Sequence, residues 1–245
     1  MHDLYLGVAQ DVCASCLVEL HEHGHIFDHA GHPITSPDSA YAALSIECRL
    51  WCERNNLKVP PGFTVKSLNR DTKTMFPALA TYYKAASVKI LIGFCSYIST
   101  KLCDGSWRSK VRSTCLWGLS DFIYKLDCAG PWLTAEEAKG CYDSGYLFLD
   151  SMQELANIAG DNNEFLWKVR PKTHYMCHHF DDVYSTRANP RHRTCFMDED
   201  FVGKLARLGR HCHRKTVALR VLQRYLLFIN QHWRRRKTGA YAFHN

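Results

Sequence analysis

The chain has 245 residues, 46% of them apolar and 22% charged, the composition of a globular protein long enough to bury a real core. No run of about 18 apolar residues occurs, so no membrane span is expected, and Met1, His2 and Asp3 supply no basic leader ahead of an apolar stretch, so neither is a signal peptide. The net charge of +7 is unevenly placed: from Asp198 onward there are 11 Lys and Arg against 3 Asp and Glu, whereas residues 1–197 hold 20 against 21. That asymmetry points to a polyanionic partner, nucleic acid before membrane.

Residues 4–23 read as a helix, because Leu4, Val8, Val12, Cys16 and Leu20 recur every four residues. Gly24 is its expected C-terminal cap. Cys13 and Cys16 have the spacing of a zinc knuckle, but inside a helix they lie one turn apart on an apolar face, where free thiols pack as small hydrophobes. The 12 cysteines are scattered in the same way, which suits reduced thiols of an intracellular protein better than a disulfide scaffold. His21, His23, His25, His29 and His32 follow as a histidine-rich loop. It is read first as solvated and second as a zinc site.

Ser36, Pro37 and Asp38 start the next helix, with Tyr41, Leu44, Cys48, Trp51 and Cys52 on its apolar face. Residues 57–69 are irregular around Pro60, Pro61 and Gly62; residues 64–68 suggest a short strand, and the stretch as a whole suggests a hinge. Pro77 opens a helical pattern reaching Leu102, and a further helix is expected over residues 108–126. Thr134 and Glu137 form a capping-box pattern at the start of a helix that reaches Ile158. Pro171 suits the first turn of the next helix. There His174 and His178 stand four apart like the two histidines of a metallopeptidase, but Tyr175 occupies the place of the glutamate. The protease reading is rejected and the pair is set aside as metal ligands.

Asp198, Glu199 and Asp200 open a basic amphipathic helix reaching Arg210, a position the helix dipole favours without any chemistry. A second helix over residues 216–233 runs into Arg234, Arg235, Arg236 and Lys237. Three segments result: N-terminal helices and histidine loop (1–60), a helical middle region (61–163) and a basic helical C-terminal region (164–245). The fold class is mainly α, with few or no strands.

Several short blocks resemble eukaryotic cut-and-paste transposases of the CACTA and plavaka-like type. Met1 through Asp11 resembles their LMH-x-x-x-LG segment, where a D-x-x-H motif precedes a long helix. Lys168, Val169, Arg170, Pro171, Lys172, Thr173 and His174 resemble their RPK-x-H block, and Phe196 through Phe201 resembles the surroundings of the third catalytic acid. The resemblance implies an RNase H-like core interrupted by a helical insertion, here residues 36–158. In such enzymes three carboxylates hold two divalent metals, Mg²⁺ or Mn²⁺, for phosphodiester cleavage. It maps His2 to the histidine of D-x-x-H and Glu199 to the third acid.

The other two acids of the family lie upstream of the histidine motif, before residue 1. One acid does not hold two metals, so the expectation is a truncated core, with no cofactor in this chain alone. Glu199 would retain at most weak Mg²⁺ or Mn²⁺ binding, helped by Asp198 or Asp200. Residual affinity for DNA phosphates would come from Lys204, Arg207, Arg210, Arg214, Lys215, Arg234, Arg235, Arg236 and Lys237. The expected partners are DNA and an intact transposase or complementing chain, in a nuclear setting and without a membrane. The alternative is a helical module that binds an acidic protein. A third reading is a metal protein using the histidine loop, or His174 with His178.

Overall fold

The computed structural model describes residues 4–28, 30–71, 74–193, 196–210 and 212–237. It divides the chain into two compact units, Met1–Arg193 and Thr194–Asn245. Eight α-helices make up most of the described residues, and none of these residues lies in a strand. Two isolated bridges, Phe27 with Pro33 and Trp132 with Ala188, are the only β-type pairings among them. The mainly α expectation holds. The segment boundaries drawn after residues 60 and 163 both fall inside the first unit.

The first unit is built around its first helix. A π-type turn, Leu4–Val8, leads into α1, Ala9–Glu22. From Ala9 to Leu20 every residue except Gln10 is buried. A helix that is apolar on nearly all sides must be surrounded, and this one packs against α2 (Pro37–Arg54), α3 (Ala85–Lys101) and the Leu4–Val8 turn. Gly24 ends the run as expected. It takes φ +68° and its N–H donates to the His21 carbonyl at 3.0 Å, the left-handed ending that glycine favours.

The most extensive helix pair is α4, Trp107–Cys128, with α5, Ala135–Asp161; α6, Pro171–Thr186, also packs against α5. Two glycines set these approaches. A Cβ on Gly118 would come within 3.0 Å of the Ser144 carbonyl oxygen, and one on Gly145 within 2.6 Å of the Phe180 ring. The start of α5 carries the capping box in full: the Thr134 N–H donates to Glu137 Oε2 at 2.8 Å and the Glu137 N–H to Thr134 Oγ1 at 3.2 Å. Buried Asn189 fastens the end of this layer, its amide donating to the carbonyls of Leu126 (2.8 Å) and Gly130 (3.0 Å).

Two expected elements are corrected. Residues 64–68 form no strand. They turn into a 3-10 helix, Lys66–Leu68, because Thr64 and Ser67 satisfy each other's backbone, Thr64 N–H to Ser67 Oγ at 2.8 Å and Ser67 N–H to Thr64 Oγ1 at 3.0 Å. The helix expected from Pro77 begins only at Ala85. The intervening N–H groups are committed elsewhere: Ala78 donates to Leu68, Leu79 to Gln10 and Ala80 to Ser67. These long-range bonds override the local apolar pattern, and Tyr82 is exposed.

The second unit pairs α7, Phe196–Gly209, with α8, Val217–Lys237, through a 3-10 turn at Arg214–Thr216. Arg224 Nη1 donates to the Leu208 carbonyl at 3.1 Å, closing the C-terminal end of α7. Gly209 lies against Val217 and Val221 of α8.

Candidate functional site

Two places collect the residues singled out by the sequence. The first joins the N-terminal block to the block that begins at Lys168, although more than 150 positions separate Asp11 from Arg170. Arg170 donates to Asp11 Oδ1 at 2.9 Å and its Nε stands 2.6 Å from Oδ2, while the methylenes of Lys172 lie across Gly7. Burial pushes the Asp11 carboxyl up to about 6, against the pull of Arg170, Lys168 and Lys172.

Two turns further along α1, Glu19 behaves in the opposite sense. It is fully buried and accepts from Arg108 Nε (3.0 Å) and Nη2 (2.8 Å), from Arg112 Nη1 (2.8 Å) and from the Trp167 indole N–H (2.6 Å). Burial opposes ionisation here too, but Arg108, then Arg112 and Trp167, outweigh it and hold the carboxyl below the ordinary range. Burial and the nearby Arg112 charge hold the His25 imidazole low as well. None of Glu19, Arg108, Arg112 and Trp167 was singled out from the sequence. The available signal was a carboxylate inside a helix with almost no polar face, which must find cationic partners.

The second place is the basic unit. Arg207, Arg210, Arg214 and Lys215 are exposed along α7 and the turn that follows it. Arg220 and Arg224, absent from the sequence-based set, are exposed one helical turn apart on α8. Lys204 lies on α7, and Arg234, Arg235, Arg236 and Lys237 form the last turn of α8; the side chains of these five lie outside the described residues, as does all of His2. Asp198, Glu199 and Asp200 fall within the first five residues of α7, where the dipole favours acids; their side chains are also outside the described residues.

No described side chain of this unit is buried. Val217, Val221, Tyr225 and Ile229 recur every four residues on one face of α8 and are partly covered, except Val217, which is exposed at 37%. Beside them Leu219, Leu222 and Leu226 form a second apolar stripe, each more than half exposed. Basic and apolar faces thus lie side by side on one helix.

Among the described residues no three His, Cys, Asp or Glu side chains converge as a metal-binding group. The 11 described cysteines are all free and seven are buried, among them Cys13 and Cys16. His23 pairs with Glu164 Oε1 at 3.1 Å, and the His23 and His25 rings stack. His174 and His178 are both exposed, with their Nε2 atoms 3.2 Å apart. No helix among the described residues is long and apolar enough to cross a membrane. No protein-family model, curated protein or solved structure matches the chain.

Proposed function

We propose that this chain derives from a cut-and-paste transposase and binds nucleic acid without sequence preference through its C-terminal unit, Thr194–Asn245. The observation that carries the reading is a coincidence of two boundaries. The excess positive charge begins at Asp198, and the second compact unit begins at Thr194. A polypeptide that segregates a net +8 into its own pair of helices, with arginines exposed on both, has the footprint of a phosphate-binding surface. Contacts of this kind position a duplex but read no bases. Of the three acids that the resemblance implies, only Glu199 is mapped onto this chain.

The test is fluorescence anisotropy of the whole chain with a labelled mixed-sequence duplex, across a salt series. Affinity is expected to fall steeply with salt. Replacing Arg234, Arg235, Arg236 and Lys237 together by Ala is expected to flatten the log–log slope by about 3–4, one unit or slightly less per lost phosphate contact. A duplex that binds no better at low salt than at high salt rules the reading out.

The Leu219, Leu222 and Leu226 stripe favours a second reading, in which α8 docks on an acidic, partly apolar protein surface. Phosphate binding gains nothing from exposed leucine, whereas a helix-in-groove contact uses apolar anchors at three- and four-residue spacing. Substituting Leu222 and Leu226 by Ser separates the two. DNA affinity then stays within about twofold if phosphates are the target, since rim changes away from the charges cost little.

A further inference from the structure

We propose that His174 and His178 form a two-imidazole zinc clip on the outer face of α6, a site independent of the C-terminal unit. The argument is geometric. The two Nε2 atoms stand 3.2 Å apart across one helical turn, with the ring planes at 77°. Imidazole nitrogens lie about 2.0–2.1 Å from zinc, so this separation corresponds to an N–Zn–N angle of about 100°, near tetrahedral. Cis positions of a square-planar Cu²⁺ site would require a shorter separation, about 2.8–2.9 Å. The pair can therefore reach one zinc ion from its present positions.

The helix holds the pair in place. Thr173, Met176, Phe180 and Val183 of α6 are buried, which directs the intervening positions 174 and 178 outward and fixes the rotation of the helix. Phe180 is clamped against Gly145 and packs edge-on against Phe122, with ring centroids 4.8 Å apart. Two ligands mounted on so anchored an element lose little freedom when the metal arrives, the condition for a useful affinity from few donors. No third His, Cys, Asp or Glu among the described residues joins them. Two coordination positions are then open to water or to a donor from another molecule, the arrangement of an exchangeable rather than a structural zinc.

The same 3.2 Å separation is compatible with an N–H···N hydrogen bond between two neutral rings, which needs no metal. Zinc competition separates the two. The full chain, stripped of metal, is titrated with zinc against a chromophoric chelator of micromolar affinity, with helical content followed by circular dichroism. The wild type is expected to withdraw one equivalent. His174→Ala and His178→Ala are each expected to weaken that binding by at least about tenfold, since loss of a direct ligand exceeds the 10–100-fold cost typical of outer-shell changes. His23→Ala, in the histidine loop, is expected to leave it unchanged. Ala is the best helix former, so both variants should fold; His178→Gln provides a second variant that keeps the side chain polar. Equal zinc uptake by the wild type and the His174 and His178 variants overturns the proposal, as does failure of the wild type to compete with the chelator.

Discussion

The two units put their charges to opposite uses. In Met1–Arg193 charge is drawn inward: Glu19 is enclosed by two arginines and an indole, and Asp11 is sealed under Arg170. In Thr194–Asn245 the described arginines and Lys215 face outward, and no described side chain is buried. Buried charges add little net stability but are costly to orphan, because the partner left behind has lost its water. Exposed cations cost almost nothing to remove and carry association instead. The first unit should therefore answer substitution through its stability, and the second through its binding.

The sharpest way to break this contrast is Glu19→Gln. It leaves the buried Arg112 without a counter-charge and Arg108 with Glu164 alone, and the expected loss is on the order of 3–5 kcal/mol in urea unfolding. A loss below about 1 kcal/mol would place Glu19 among surface-like charges. Asp11→Asn tests the opposite sign on the same helix. With a folded pKa near 6 and an ordinary unfolded value of 3.8, Asp11 binds protons more tightly in the folded state. Its contribution is complete below pH 4 and lost as pH rises through 6, by at most about 3 kcal/mol. The wild type should therefore lose stability relative to Asp11→Asn between pH 4 and 6. Glu19 works the other way, its stabilisation being present above its unfolded pKa and lost as pH falls through its lowered folded value. Parallel pH profiles for Asp11→Asn and the wild type would contradict the assignment. Gly145→Ala should cost about 1–3 kcal/mol by driving a methyl group into the Phe180 ring. The fourfold Ala substitution at residues 234–237 should move the unfolding midpoint least, by about 0.5 kcal/mol or less, while changing the salt dependence of DNA binding most.

Much of the local architecture was legible because the signals are short-range. Thr134 with Glu137, Pro37 and Pro171 at helix starts, and Gly24 beyond a helix end each act within one turn, and all are found as read. The two misreadings differ in cause: at residues 64–68 the side chains of Thr64 and Ser67 take the local backbone groups, whereas the second lies in distant partners. The stretch from Pro77 to Lys84 has helical periodicity, but its N–H groups serve the carbonyls of Leu68, Gln10 and Ser67, partners that no local window contains. The Glu19 cluster was hidden for the same reason: Arg108, Arg112 and Trp167 lie 89, 93 and 148 positions away. In the basic unit, charge pattern and structural boundary agree, and the four candidate side chains that are described, Arg207, Arg210, Arg214 and Lys215, are exposed; Arg220 and Arg224 went unread. The His174 and His178 pair was visible as a spacing, while the 3.2 Å approach of its two nitrogens was not. A spacing of four fixes the face but not the rotamers.

The enclosure of α1 has a consequence in time. Its counter-ions and the Trp167 indole are translated long after Glu19. At about 5–20 residues per second the ribosome needs roughly 7–30 s to cover the 148 positions between Glu19 and Trp167. Over that interval α1 gains α2 and α3 as neighbours first, while Glu19 waits 89 positions for Arg108 and the full 148 for the indole that closes its site. The nascent chain therefore depends on whatever shelters it near the tunnel exit, and a synonymous change that slows translation before Trp167 would prolong that exposure without altering a single residue.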